Sequence, residues 1–395
     1  MSFRKVDLYD QCIVSTNCNV QVALKVENAK CIPSFIEEIQ NSMLAFRTRI
    51  VGNRIETTDK VYDILSLPKN IKTMKDMCNW TVKNRYPNDK TLGTLAVNDE
   101  YIVFNSHHVL ADGHALTNLV HRLANGVKSE KVTGLPISIY DVFDKEIKEA
   151  PNQKEYFDNS KKAQVFPLRE YQKCKKVIDS VDAKIPFKEL MAYDNNTGKL
   201  HRLSEAFWTA SILSGFTLNN NFGKASIITV IDLRQFMKTK SSLHNVNMWS
   251  HIYEYAEPNI NDDIETLYDK LRNDYNDNIA KGRQFTFMKE GGIKNPKTSF
   301  VVEVSSVGSV HIKPPIVDAY LNLYNDLSHK TQLINDTFSI IGNGKNDMHI
   351  STAFPPNIIR RNEIERYNKM FQYTLRNISP KMRIKDALDE LQKIK

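Results

Sequence analysis

The stretch Asn105-Ser106-His107-His108-Val109-Leu110-Ala111-Asp112-Gly113 sets two adjacent histidines at a fixed distance from an Asp-Gly pair. The chain has 10 His and 14 Gly among 395 residues, so this grouping is its most informative feature. Immediately upstream, residues 92–97, a turn at Asn98-Asp99-Glu100 and residues 101–105 read as a β-hairpin rich in aliphatic and aromatic side chains. Downstream, Asp112 is placed to cap a helix whose apolar positions Leu116, Leu119, Val120 and Leu123 recur at helical spacing, with a stop at Asn125-Gly126. The two histidines therefore leave the end of a strand and enter a strand-to-helix loop, a common home for catalytic groups.

Four readings of that loop are open on the residues alone. Histidine titrates near neutral pH, so one of the pair suits the removal of a proton from a hydroxyl or an amine. A second reading makes both rings core side chains satisfied by backbone groups, the usual state of an isolated histidine. Asp112 serves as a helix cap in any case, and Gly113 permits close backbone approach or an unusual φ. A metal site built from His107, His108, Asp112 and His114 is the fourth reading; it lacks the spacing of a zinc motif, and no metal is expected.

Composition narrows the protein class. A chain of this length exceeds what one hydrophobic core normally fills, so two halves sharing an interface are expected. With 41% apolar and 25% charged residues, the sequence is that of an ordinary globular protein. The net charge of +8 comes from 54 basic and 46 acidic residues mixed along the chain. Neither a basic run nor a basic-aromatic array accompanies it, which argues against a nucleic-acid partner. The five cysteines, Cys12, Cys18, Cys31, Cys78 and Cys174, lack CxxC spacing and read as reduced thiols of a cytoplasmic protein. The opening MSFRKVDLYDQCIVSTN has no continuous apolar run of a signal sequence, and no stretch is long enough to span a bilayer.

Outward from the motif, strands and helices alternate. Residues 32–49 carry apolar side chains at helical spacing, and an irregular segment follows with a helical patch around 74–82. Residues 151–190 turn polar and read as a crossover between an N-terminal half, 1–150, and a C-terminal half, 191–395. The second half is expected to hold a helix at about 203–213, a buried strand at 225–233 running into Arg234, and a long amphipathic helix with Ile264, Leu267, Leu271, Tyr275 and Ile279 on one face. A strand over 298–306 ending at Val307-Gly308, a hairpin over 336–353 and two terminal helices, about 363–376 and 384–394, close the chain. The fold class read from this order is α/β, of the α+β two-layer kind.

His107-His108-Val109-Leu110-Ala111-Asp112-Gly113 matches the HHxxxDG motif of the acyl-CoA-dependent acyltransferase superfamily, which includes chloramphenicol acetyltransferase, peptide-synthetase condensation domains, alcohol acetyltransferases and the plant BAHD enzymes. The resemblance extends to residues 43–50, to Val230-Ile231-Asp232-Leu233-Arg234 as the "vDLR" segment, to residues 300–308 and to residues 348–356. It implies two chloramphenicol-acetyltransferase-like half-domains with a tunnel along their interface. By the same resemblance His108 is the general base and Asp112 a largely structural partner of Arg234. His107 and Gly113 shape the loop, and Ser306 is the candidate oxyanion donor. The implied reaction moves an acyl group, acetyl foremost, from acyl-CoA to a hydroxyl or amine of a small acceptor in a ternary complex, with no tightly bound cofactor. Lys238, Lys240, Ser241, Lys281 and Arg283 are candidates for the basic entrance that coenzyme A phosphates need. The plant DFGWG element is absent, and 395 residues leave no room for a carrier or adenylation segment, so a free-standing, monomeric transferase is expected. A carrier-protein-dependent condensation enzyme and a non-catalytic binding member of the fold are the alternatives.

Overall fold

The computed structural model describes residues 2–152, 178–238, 247–290, 301–324, 333–342 and 346–395. The chain opens with β1 (Phe3–Lys5), α1 (Leu8–Ser15), β2 (Asn19–Val26), α2 (Ile32–Ser42), β3 (Thr48–Val51), β4 (Arg54–Thr57), β5 (Leu65–Ser66) and α3 (Met74–Lys83). The motif hairpin follows as β6 (Gly93–Val97) and β7 (Tyr101–His107), then α4 (Gly113–Ala124), α5 (Ile139–Val142) and α6 (Asp144–Glu149). The second half runs β8 (Asp179–Pro186), the short pair β9 (Tyr193–Asp194) and β10 (Lys199–Leu200), α7 (Leu203–Asn219), β11 (Ala225–Asp232), β12 (Trp249–Ala256), α8 (Ile264–Ala280) and α9 (Thr286–Lys289). It ends with β13 (Val301–His311), β14 (Ile316–Tyr324), β15 (Leu333–Gly342), β16 (Asn346–Phe354), α10 (Arg361–Asn377) and α11 (Ile384–Gln392).

Two large mixed sheets carry the architecture. One has the order β14-β2-β7-β6-β5, the other β12-β11-β13-β15-β16-β8. β2, with the sequence NVQVALKV, is buried along nearly its whole length because β7 and β14 flank it. β14 comes from the second half of the chain and pairs antiparallel with β2, Tyr320 opposite Ala23, so the halves are interlocked rather than merely apposed. In the other sheet β11, β13 and β15 are parallel, and Val302, Val304, Ile334, Phe338 and Ile350 pack toward the helices. There α7 is buried from Glu205 to Thr217, which is why its sequence reads apolar all round instead of as a stripe. Phe207 stacks on Phe338 with ring centroids 3.8 Å apart.

Several elements depart from the sequence reading. The helix expected to end near 213 runs to Asn219, and the segment after residue 50 holds the β3–β4 hairpin. The strand expected to stop at Val307-Gly308 continues to His311 through a bulge at Gly308, whose φ is +88°. A glycine in that left-handed region marks a bulge as readily as a strand end. Of the segment read as a crossover, 153–177 lie outside the described residues, as does Cys174, and 179–186 form β8 against β16.

Candidate active site

β7 ends in three polar residues, Asn105, Ser106 and His107, all buried. The backbone here is bonded on both sides: His107 N–H donates to Leu92 O at 2.8 Å and His108 N–H to Cys18 O at 2.8 Å. Leu110 N–H then turns back to His107 O at 2.9 Å. His107 Nδ1 accepts from Val109 N–H at 3.3 Å, which leaves the ring proton on Nε2. Burial pushes the His107 imidazole down to about 3, with the charges of His108 and Arg85 acting the same way. This ring is a neutral strut of the loop.

The His108 ring is differently disposed. Its Nδ1 lies 2.8 Å from the Ala111 carbonyl oxygen. A carbonyl only accepts, so Nδ1 carries the proton and Nε2 keeps its lone pair. Burial lowers the His108 pKa below that of a free imidazole, although Asp112 and Glu303 pull the other way. At neutral pH the ring is therefore uncharged, with Nε2 as its proton-accepting nitrogen. One face of the ring lies against Trp249, centroids 5.3 Å apart and planes 30° apart.

Asp112 ties this loop to the second half. Its Oδ1 caps α4 by accepting from Ala115 N–H at 2.9 Å. Its Oδ2 accepts from Arg234 Nη2 and from Met248 N–H, each at 2.9 Å. Arg234 also reaches a second carboxylate, with Nη1 to Asp232 Oδ1 at 2.9 Å. Burial works against the Arg234 charge, yet the two carboxylates outweigh it and hold its pKa above the ordinary value. His114, one residue past the motif, adds Nδ1 to Asp232 Oδ2 at 3.2 Å. Gly113 has no positive φ; its need is for space, because a Cβ there would stand 2.6 Å from Val307 Cγ1 in β13.

The other candidates each have their own surroundings. Ser306 is exposed at the bulge of β13 and pairs with Phe338, whereas Ser305 pairs with Val230. Lys238 is a solvated side chain 3.8 Å from Glu146, Lys281 bonds Asp277 at 2.6 Å, and Arg283 bonds Asn278 at 2.6 Å. Lys240 and Ser241 lie outside the described residues. Among the described residues no group of three or more His, Cys, Asp or Glu is placed to hold a metal ion, and His107, His108, Asp112 and His114 each turn to a different partner. No helix among them is long and apolar enough to cross a membrane.

Sequence reasoning passed over three residues that adjoin the motif: Trp249 and His251 in β12, and Glu303 in β13. The His251 ring meets Trp249 edge-on at 4.7 Å, and its Nε2 is 3.1 Å from Glu303 Oε2. One signal was available, the lone acid in the apolar run Phe300-Val301-Val302-Glu303-Val304.

No protein-family model matches the sequence, and no curated protein matches it either. The likeness is to solved structures. Polyketide synthase associated protein 5 from Mycobacterium tuberculosis superposes with a TM-score of 0.71 at 14% identity, covering 94% of this chain and 97% of that one. The first condensation domain of the calcium-dependent antibiotic synthetase, in complex with a substrate analogue, gives 0.66 at 9% identity over 98% and 99% of the two chains. A variant starter condensation domain of rhizomide synthetase in complex with C8-CoA gives 0.63 at 10%, over 94% and 92%. The chain thus shares the fold of these condensation domains and of polyketide synthase associated protein 5 over nearly its whole length.

Proposed function

We propose that this protein is an acyl-CoA-dependent acyltransferase that acts on a hydroxyl or amine of a small molecule, with His108 as general base. The observation that carries the reading is the Nδ1 contact to Ala111 O, which leaves the lone pair on Nε2. Nε2 takes the proton of the acceptor as its oxygen or nitrogen attacks the thioester carbonyl carbon. The resulting oxyanion collapses, the C–S bond breaks, and the proton on His108 passes to the leaving thiolate. The oxyanion donor belongs to the Ser305-Ser306 pair: Ser306 carries the resemblance, while Ser305 alternates onto the sheet face that holds Glu303. Asp112 and Arg234 position the loop and touch no reacting atom.

Acetyl-CoA is the donor we favour, with the protein working as a cytoplasmic monomer. The C8-CoA in the rhizomide synthetase structure supports a CoA thioester in this fold. The likeness to condensation domains over nearly the whole chain favours a second reading, a donor tethered to a carrier protein. Thiol release from a panel of acyl-CoAs, offered with alcohols and amines, tests the proposal. His108→Ala is expected to lose at least a hundredfold in rate with unchanged circular dichroism. In the wild type, kcat/KM should rise with pH to a plateau, its midpoint below that of a free imidazole because His108 must be neutral. A His108→Ala rate near wild type would refute the base assignment.

A further inference from the structure

Two buried ionisable side chains beside His108 have no part in the steps above. His251 pairs with Val230 across β11 and Glu303 pairs with Ile228 on its other side. Residues two apart in a strand share a face, so His251 and Glu303 stand on one side of the sheet. That side is opposite the one where Val302 and Val304 meet the helices. The two side chains reach diagonally over β11 until Nε2 and Oε2 are 3.1 Å apart, and both residues are less than a tenth exposed.

This contact is poorly aligned, and neither nitrogen of His251 completes a hydrogen bond. Trp249 Nε1, in the ring between His251 and His108, is likewise buried and unpartnered. Buried polar atoms in native proteins are almost always satisfied, and a cluster of exceptions next to a reactive group marks a place where a ligand supplies the partner. Phe287 closes the far side of His251 at 4.9 Å, edge-on. The polar atoms are thus framed by aromatic rings, and Glu303 is near enough to His108 for its charge to favour protonation there.

We infer that His251, beside Glu303, is a second binding point for the acceptor, and that the acceptor carries a further hydroxyl or amine besides the group that is acylated. The inference rests on the acyl-transfer reading. Charge assigns the pair to the acceptor rather than the donor, because a carboxylate repels the phosphates of coenzyme A and offers nothing to an apolar acyl chain. A hydroxyl can donate to Glu303 and accept from His251; an ammonium donates to the carboxylate alone. Amino alcohols and polyols are the fitting class, and simple aliphatic alcohols are not.

The test compares 1-hexanol with 1,2-, 1,3- and 1,6-hexanediol and 6-amino-1-hexanol, by thiol release from acetyl-CoA with the full chain. In the wild type at least one bifunctional acceptor should exceed 1-hexanol tenfold or more in kcat/KM. That ratio should collapse toward one in His251→Phe, which keeps an aromatic ring against Trp249 and Phe287, and should shrink in Glu303→Gln. Equal use of all five acceptors by the wild type, or a ratio unchanged in both variants, overturns the inference while leaving acyl transfer standing. Calorimetric titration with the same compounds gives a readout that needs no turnover. Binding of a bifunctional compound that is lost in His251→Phe supports the second binding point even where no thioester is consumed, and no binding to the wild type overturns it.

Discussion

Removing the Asp112 carboxylate is expected to uncouple the motif loop from the second half, and the structure sets the scale. Asp112→Ala deletes the α4 cap, a loss of about 1 kcal/mol. It also strands Met248 N–H and leaves the nearly buried Arg234 cation with Asp232 as its remaining carboxylate partner among these contacts. Breaking one side of a buried pair costs about 3–5 kcal/mol, and these losses overlap, so about 5 kcal/mol in total is expected. Arg234→Ala leaves Asp112 its two backbone donors and should cost less, about 2–3 kcal/mol. In the double variant the stranded cation no longer exists, so the two single losses should exceed the double by about 2–3 kcal/mol. Urea unfolding followed by circular dichroism and by tryptophan fluorescence measures the four corners of the cycle, with coincident transitions as the check on cooperativity. Agreement of the double variant with the sum of the singles to within about 0.5 kcal/mol would refute the latch.

Two further outcomes follow from the same loop. Gly113→Ala places a methyl 2.6 Å from Val307 Cγ1 and should destabilise by about 1–3 kcal/mol; Val307→Ala should recover most of that loss, and a Gly113→Ala protein with an unchanged melting temperature would remove the steric argument. His107 stays neutral in the fold down to about 3, whereas the unfolded chain takes up that proton near 6.5, so stability falls as pH drops through this window, by about 3 kcal/mol at pH 4. His107→Gln should show a shallower acid loss in denaturant midpoint, and parallel pH curves for the two proteins would contradict it.

Where the sequence was legible, local rules and tertiary structure agreed. α4 has an Asp cap, apolar residues three and four apart, and Gly126 at φ +64° just past its end, all consequences of helix geometry visible in a short window. α8 likewise buries Ile264, Leu267 and Leu271 from one face. β14 was missed because its partner β2 is some three hundred positions away along the chain, Tyr324 opposite Asn19, and no local pattern encodes a pairing of that kind. β12 was missed for another reason. Trp249-Ser250-His251-Ile252-Tyr253-Glu254 has no clean alternation, since one face lines the site and the other packs Glu254 beneath α8.

The same distinction accounts for the site. The motif supplies His108 and the carbonyl that fixes its tautomer within four residues, so the base we propose could be picked out from the sequence. Leu92 and Cys18 of the first half hold the loop's backbone, and the other half adds Arg234 and Met248 on Asp112, Val307 on Gly113 and Trp249 on the His108 ring. α4 packs on β13, and β14 returns to the first sheet, so neither half presents these contacts alone. A buried neutral imidazole is useful as a base only if its free nitrogen is aimed and its loop cannot relax to satisfy it otherwise. The aim is set within the motif, and the constraint is set across the interface. That division explains why the loop sequence is short while the contacts that hold it span the chain.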